Sequence, residues 1–172
     1  MKAGVCTGKG KIEIVERPIP EISDNDVLIK IEYVGVCGSD LHFFAEGGIG
    51  AVKLYEPRIL GHEPVGTIVK VGKDVKDLKV GDNVTLEPGK RCKVCDFCRK
   101  GIYNMCETNR VEFLGNPYTD GAFVEYMSYP QEYVFKLPQD FPKKRAVMIE
   151  PYAVALHAVE QSGAHYGQTR CV

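Results

Sequence analysis

Four cysteines in one irregular stretch constrain most strongly what this chain can fold into. A segment over residues 87–120 without clear strand or helix periodicity holds Cys92, Cys95, Cys98 and Cys106. A structureless loop of this length is unusual inside a compact domain unless something organises it. Four thiolates at this spacing can close a tetrahedron around one zinc ion and leave no coordination position open. The segment therefore predicts a structural zinc site in a lobe over residues 87–110, here called the four-cysteine lobe. Two disulfides, free thiols or an iron–sulfur cluster are the alternatives.

Composition and charge exclude several classes of protein. The formal net charge is -1, which provides no electrostatic footprint for nucleic acid or an anionic membrane. No apolar stretch approaches the roughly 18 residues of a membrane span. The cysteines number seven, and four of them cluster at metal-like spacing, which favours cytoplasmic thiol and metal chemistry over a disulfide framework. We therefore expect a cytoplasmic protein whose partner is a small molecule.

Short apolar runs between glycine and proline turns indicate a mainly β protein. The clearest strand is predicted over 27–34, with one face formed by Val27, Ile29, Ile31 and Tyr33. Further strands are predicted on both sides of the turn at 8–10 and at 65–71, 84–86, 122–127 and 133–137. This order of short strands and turns predicts a small β-barrel, closed or nearly closed.

Helices are expected in only two places. Residues 39–45 predict a short helix capped by Ser39 or Asp40, and residues 46–60 read as a loop. From Lys143 onward the pattern is helical, with Pro151 in a first turn. The predicted fold class is mainly β with short helices.

A second candidate metal site draws on residues that are far apart in the sequence. Cys37 and His62 supply a thiolate and an imidazole, which suit a catalytic zinc that keeps one position open. Glu63 and Glu150 compete for the carboxylate ligand. Successive residues of an extended strand point to opposite faces, so His62 and Glu63 do not ligate together easily and Glu150 is the predicted third ligand. Glu63 is then an alternating ligand, or an acceptor behind the ligands. Zinc in such a site suits interconversion of an alcohol and a ketone.

A hydroxyl and an imidazole next to Cys37 predict a proton relay. Ser39 and His42 are three residues apart and would share one face of a short helix. A hydroxyl beside the reacting alcohol can take its proton, and a more exposed imidazole can deliver that proton to water. The alternatives are a helix cap for Ser39 and a surface side chain for His42.

Four stretches together resemble the zinc-containing medium-chain alcohol dehydrogenases. They are Gly35-Val-Cys-Gly-Ser-Asp-Leu-His42, Gly61-His-Glu-Pro-Val-Gly66, the four-cysteine lobe and Ile149-Glu-Pro151. Glu150 stands where the classical alcohol dehydrogenases have a cysteine. This change, together with the Cys-Gly-Ser-Asp-x-His form, resembles the sorbitol (polyol) dehydrogenase branch. The resemblance covers essentially the whole chain.

The resemblance implies a GroES-like β-barrel catalytic domain over residues 1–163. Cys37, His62 and Glu150 match catalytic-zinc positions, with Glu63 nearby, and the four-cysteine lobe matches the structural-zinc lobe. Ser39 and His42 match proton-relay positions. Members of the family oxidise polyols or other secondary alcohols with NAD(H) or NADP(H), and they form homo-oligomers.

The chain departs from the family in one respect. It contains no Gly-x-Gly-x-x-Gly, so we expect no Rossmann domain and no cofactor-binding residues. Residues 164–172 are interpreted as the start of a missing nucleotide-binding domain, and the chain alone is expected to be inactive or nearly so. The alternatives are a stand-alone zinc-binding interaction module, or a domain of a threonine, butanediol or sugar-phosphate dehydrogenase.

Overall fold

The computed structural model describes residues 1–108, 112–165 and 167–169. Its strands are β1 Lys2–Gly8, β2 Lys11–Glu16, β3 Asp26–Gly35, β4 Gly48–Ile49, β5 Val52–Lys53, β6 Arg58–Ile59, β7 Glu63–Val71, β8 Asn83–Leu86, β9 Tyr126–Pro130 and β10 Val134–Lys136. Its α-helices are α1 Gly38–Glu46, α2 Asp96–Arg99, α3 Lys143–Ala146 and α4 Ile149–Gln161. Within the described ranges, no helix has both the length and the apolar character needed to cross a membrane.

Two antiparallel sheets build the barrel. The larger sheet has the strand order β10-β8-β7-β3-β9, and the smaller has the order β2-β1-β6. A bridge between Ala3 and Val124 links β1 to the segment that leads into β9. Every strand pair in the described part of the chain is antiparallel. The predicted mainly β class is therefore confirmed, and these residues contain no parallel sheet of the dinucleotide-binding kind.

The principal core lies along β3 and β7, the longest strand pair. Val27, Ile29, Ile68, Val84 and Tyr129 come from four different strands of the larger sheet and are all fully buried. Burying each such side chain contributes about 1.5–3 kcal/mol to folding. This core fixes the ends of β3 and β7, and the candidate site begins at those ends.

The predicted apolar face of β3 is correct only for the first half of the strand. Tyr33 was expected to share one face of the strand with Val27, but Val27 is fully buried and Tyr33 is 45% exposed. The pairing of β3 with β7 shifts register between Ile31 and Tyr33, and such an irregularity changes which way the following side chains point. The prediction for Tyr33 was wrong for this reason.

The strand predicted at 122–127 begins later, as β9 at Tyr126. The amides of residues 121–123 instead donate to the carbonyls of residues 59–61 over 2.7–3.0 Å. These bonds hold the backbone that leads directly into His62. The region 46–60, expected to be a loop, contains the short strands β4, β5 and β6.

The region from Lys143 is helical, as predicted, with α3 and then α4 up to Gln161, and Pro151 lies in the first turn of α4. Four large apolar side chains of this helix are between 45% and 65% exposed: Tyr152, Val154, Leu156 and Val159. The helix therefore presents an apolar surface that the described residues leave uncovered.

Candidate metal centres

The four thiols of the four-cysteine lobe meet at one point. The sulfur atoms of Cys92, Cys95, Cys98 and Cys106 all lie within 4.8 Å of one another. Cys92 Sγ is 4.0 Å from Cys98 Sγ, and Cys95 Sγ is 3.9 Å from Cys106 Sγ. A tetrahedral zinc with Zn–S bonds of about 2.3 Å separates its sulfurs by about 3.8 Å. All four are free thiols, so the structure excludes disulfides among them and leaves room for a single ion.

Local hydrogen bonds favour the thiolate form of two of these cysteines. The Cys92 amide donates to Cys106 Sγ over 3.2 Å, and the Thr108 hydroxyl lies 3.2 Å from the same sulfur. The Thr108 bond is the main reason that the pKa of Cys106 is lowered to about 6. Backbone amides also lower the pKa of Cys95, whereas burial first, and then the bond to Cys106, raises the pKa of Cys98 to about 12. The thiolate is the form that binds metal.

A second group forms where β3 ends and β7 begins. Ligand atoms of Cys37, His62 and Glu63 lie within 4.8 Å of one another, and we call these three residues the Cys37 site. Cys37 lies between β3 and α1, and Glu63 is the first residue of β7. His62 and Glu63 are both buried. The longest strand pair of the barrel thus delivers the thiolate and the carboxylate to the same place.

Gly35 leaves the space that the Glu63 carboxylate occupies. Gly35 pairs with Glu63 at the end of the β3–β7 ladder. A Cβ atom at position 35 would lie 1.9 Å from Glu63 Oε2. Any larger residue at position 35 would therefore displace the carboxylate of Glu63.

His62 and Glu63 come together because they do not belong to one continuous strand. His62 precedes β7 and follows Gly61, whose φ of 91° lies in the left-handed region. The alternation of faces along a strand applies only where both residues are extended. The expectation that the two side chains would point apart therefore fails here.

Asp40 ties both halves of the Cys37 site together, and sequence reasoning proposed it only as a helix cap. Its Oδ2 accepts a hydrogen bond from the Cys37 amide at 2.9 Å, and its Oδ1 accepts one from the Gly61 amide at 2.9 Å. Oδ1 also lies 3.8 Å from His62 Nδ1. The signal in the sequence was an acidic residue three positions after Cys37, the pattern of a capping box. The cap of α1 is Cys37 itself, not Ser39 or Asp40.

Glu150 lies beside this site rather than within the group of three. Burial raises its pKa to about 7, and the negative charges of Glu63 and Asp40 contribute to the shift. Its carboxylate therefore faces the same acidic cluster. Among the described residues, Glu150 is not one of those whose ligand atoms lie within 4.8 Å of each other. Its role as a zinc ligand stays a prediction.

The two predicted relay residues lie on α1. Ser39 is half-buried, and His42 is exposed. His42 Nδ1 lies 3.0 Å from Glu46 Oε1, one helical turn further on. Because His42 is exposed, its imidazole is in contact with water.

Most of the chain matches a known protein family. Residues 23–139 match the alcohol dehydrogenase GroES-like domain. The chain belongs to this family.

Similar proteins agree with this assignment. The GroES-like domain described here is 43% identical over 169 residues to the sorbitol dehydrogenase of Bacillus subtilis, matching 98% of this chain and 47% of that protein. The galactitol-1-phosphate dehydrogenase of Escherichia coli is 38% identical, with a TM-score of 0.85 and coverage of 95% of this chain and 46% of that one. An alcohol dehydrogenase of Escherichia coli CFT073, solved with cofactor NADH, is 34% identical, with a TM-score of 0.82 and coverage of 94% and 45%. The chain thus spans about half the length of the relatives it matches.

The residues of this GroES-like domain fit the zinc ions that the family implies. The two sulfur separations in the lobe differ by only about 0.2 Å from those of a tetrahedral zinc. At the Cys37 site, tetrahedral zinc would hold the thiolate, imidazole and carboxylate atoms about 3.4–3.6 Å apart. The three ligand atoms lie within 4.8 Å of one another, so a bound zinc would draw them closer together by at most about 1.4 Å. A histidine that binds metal through one ring nitrogen usually faces a hydrogen-bond acceptor with the other. Asp40 provides such an acceptor beside Nδ1 of His62.

Proposed function

We propose that this chain is the zinc-carrying catalytic domain of a nicotinamide-dependent dehydrogenase that interconverts a polyol or secondary alcohol and its ketone. The observation that carries the proposal is the Cys37 site, where three different ligand types meet within 4.8 Å in a buried setting. Three protein ligands with one position open are the arrangement of a catalytic zinc. The four-cysteine lobe offers no open position and is assigned to folding.

Each residue of the site has a defined task in this proposal. Cys37, His62 and one carboxylate, from Glu63 or Glu150, would hold the metal, while Asp40 orients His62. Zinc held there supplies Lewis-acid polarisation of the substrate oxygen and lowers the pKa of a substrate hydroxyl. Ser39 would accept the substrate proton as its own hydroxyl proton passes to His42, and His42 would release a proton to water because its imidazole is exposed.

The hydride acceptor would be NAD⁺ or NADP⁺, bound by a part of the enzyme outside the residues that the structure describes. The described residues contain no parallel nucleotide-binding sheet, and α4, which carries Glu150, exposes an apolar surface. A cofactor domain covering that surface would complete the enzyme, and the full-length protein is proposed to be a homo-oligomer. Phosphorylated polyols are a second candidate substrate class, which the similarity to galactitol-1-phosphate dehydrogenase favours.

Metal content tests the proposal directly. The chain, purified without chelator, should contain about two zinc ions by elemental analysis. Cys37→Ser should reduce the content to about one while leaving the circular dichroism spectrum unchanged, because the lobe retains its ion. The 172-residue chain should show negligible NAD-dependent oxidation of sorbitol. A chain that binds metal only in the lobe would instead support a stand-alone zinc-binding module.

A further inference from the structure

An aromatic ring close to the four-cysteine lobe forms part of the wall around His62. The ring of Phe113 packs against the His62 imidazole, with 5.3 Å between centroids and 58° between planes. His62 is only 6% exposed, so its orientation depends on the few groups that touch it. One is the carboxylate of Asp40, which faces Nδ1, and another is Phe113.

Phe113 is attached to the segment that leads into the lobe. Its backbone pairs with Gly89 in an antiparallel bridge, and the amide of Leu114 donates to the Pro88 carbonyl over 3.0 Å. Leu114 is buried, which holds this contact in place. The first cysteine of the lobe, Cys92, follows Gly89 by three positions. A displacement of that cysteine would therefore move the strand segment on which Phe113 rests.

The last cysteine of the lobe is connected to Phe113 as well. Cys106 Sγ lies 3.2 Å from the Thr108 hydroxyl. The carbonyl of Thr108 accepts a hydrogen bond from the Glu112 amide at 3.0 Å, and Glu112 directly precedes Phe113. Both ends of the four-cysteine lobe thus converge on one aromatic residue.

The segment after Phe113 packs on the backbone before His62 without spare room. A Cβ atom at Gly115 would lie 2.8 Å from the Gly61 amide nitrogen, and one at Gly121 would lie 2.4 Å from the Gly61 carbonyl oxygen. Closely packed interiors transmit small displacements and do not absorb them. A shift of the segment that carries Phe113 would therefore be felt at His62.

We propose that Phe113 is a positioning residue that couples the two metal centres. Metal in the four-cysteine lobe fixes the lobe's two ends, holds Phe113 against His62, and so raises the metal affinity of the Cys37 site. The inference rests on the proposed function, since it assumes that both centres bind metal. Because such coupling is reciprocal, metal in the Cys37 site strengthens binding in the lobe by the same factor.

A double-mutant cycle with cobalt(II) as the probe tests this coupling. Metal affinity at the Cys37 site is measured from cobalt absorption and from the NMR shifts of the His62 ring nitrogens. Four proteins are compared: the unaltered chain, Phe113→Ala, the cysteine pair Cys98→Ser/Cys106→Ser, and the triple variant. Changes in residues behind metal ligands lower affinity by about 10–100-fold. We expect Phe113→Ala and the cysteine pair each to weaken the Cys37 site by about 10-fold. The triple variant should be no weaker than the cysteine pair, because the connection is already cut.

Two controls separate coupling from general damage. Phe97→Ala removes an exposed phenylalanine of the lobe and should leave the Cys37 site unchanged. Phe113→Leu keeps an apolar side chain at the contact and should restore part of the affinity; it also carries the comparison if Phe113→Ala does not fold.

The outcomes distinguish the inference from the proposed function. Unchanged affinity in Phe113→Ala, or effects that multiply fully in the triple variant, would overturn the role of Phe113 while leaving both metal sites intact. Cobalt binding confined to the lobe of the unaltered chain would overturn the proposed function, and the coupling with it.

Discussion

Replacing Gly35 by alanine should remove the Glu63 carboxylate from the Cys37 site. The new Cβ atom would lie 1.9 Å from Glu63 Oε2, whereas ordinary van der Waals contact begins near 3.4 Å. The carboxylate must then retreat by about 1.5 Å, while ligand positions in metal sites are held to within about 0.2 Å. We expect zinc affinity at this site to fall by about 100-fold, which corresponds to about 2.7 kcal/mol.

A neighbouring glycine provides the matched control for this experiment. Gly38 lies one residue after Cys37, and a Cβ atom there would meet nothing within 4 Å. Gly38→Ala should therefore bind zinc like the unaltered chain. Affinity at the Cys37 site is measured by competition with a chelating dye, after the four-cysteine lobe has been filled.

The result also decides which carboxylate ligates. If Gly35→Ala binds the second zinc with unchanged affinity, Glu63 is not a ligand and the reasoning from its position is refuted. Glu150 would then be the remaining carboxylate at the site. A loss of affinity in Gly35→Ala that Glu63→Gln reproduces would identify Glu63 as the ligand.

Three further predictions follow from the structure. Dilute chelator should remove zinc from the Cys37 site before it removes zinc from the four-cysteine lobe, because the ligands of the Cys37 site come from separate segments. The zinc content should fall from about two ions per chain to about one, and earlier loss from the lobe would contradict this. Ile68→Ala should lower the free energy of unfolding in urea by about 3 kcal/mol, since Ile68 is fully buried, and the exposed neighbour Val69 should cost much less when changed to alanine. Burial alone would raise the pKa of Asp82, but hydrogen bonds from Lys136 and from the Lys79 amide hold it below its ordinary value. The stability from this carboxylate is therefore present above about pH 4 and lost as the pH falls through the lowered pKa. Lys136→Met should cost about 1 kcal/mol at pH 7 and almost nothing near pH 2 in thermal unfolding, and an equal cost at both pH values would refute the assignment.

The mainly β fold could be predicted from the sequence, although not every strand boundary could. Alternating apolar residues marked β3, and short apolar runs between glycine turns marked β7 and β8. The start of β9 and the exposure of Tyr33 could not be read in the same way. Both depend on how neighbouring strands are bonded and where their register shifts, and these are properties of the assembled sheet.

The sequence by itself determined the four-cysteine centre, because its cysteines span only residues 92–106 and a short loop can bring them together wherever the lobe lies. The tertiary structure alone decided the composition of the Cys37 site. Cys37 and Glu63 meet because β3 and β7 pair in a register that places Gly35 opposite Glu63, and His62 turns toward them because Gly61 breaks the extended chain. Asp40 and Phe113 lie next to His62 only because segments distant in the sequence pack together. Spacing along the chain predicts local geometry, whereas convergence of distant residues depends on packing and strand register.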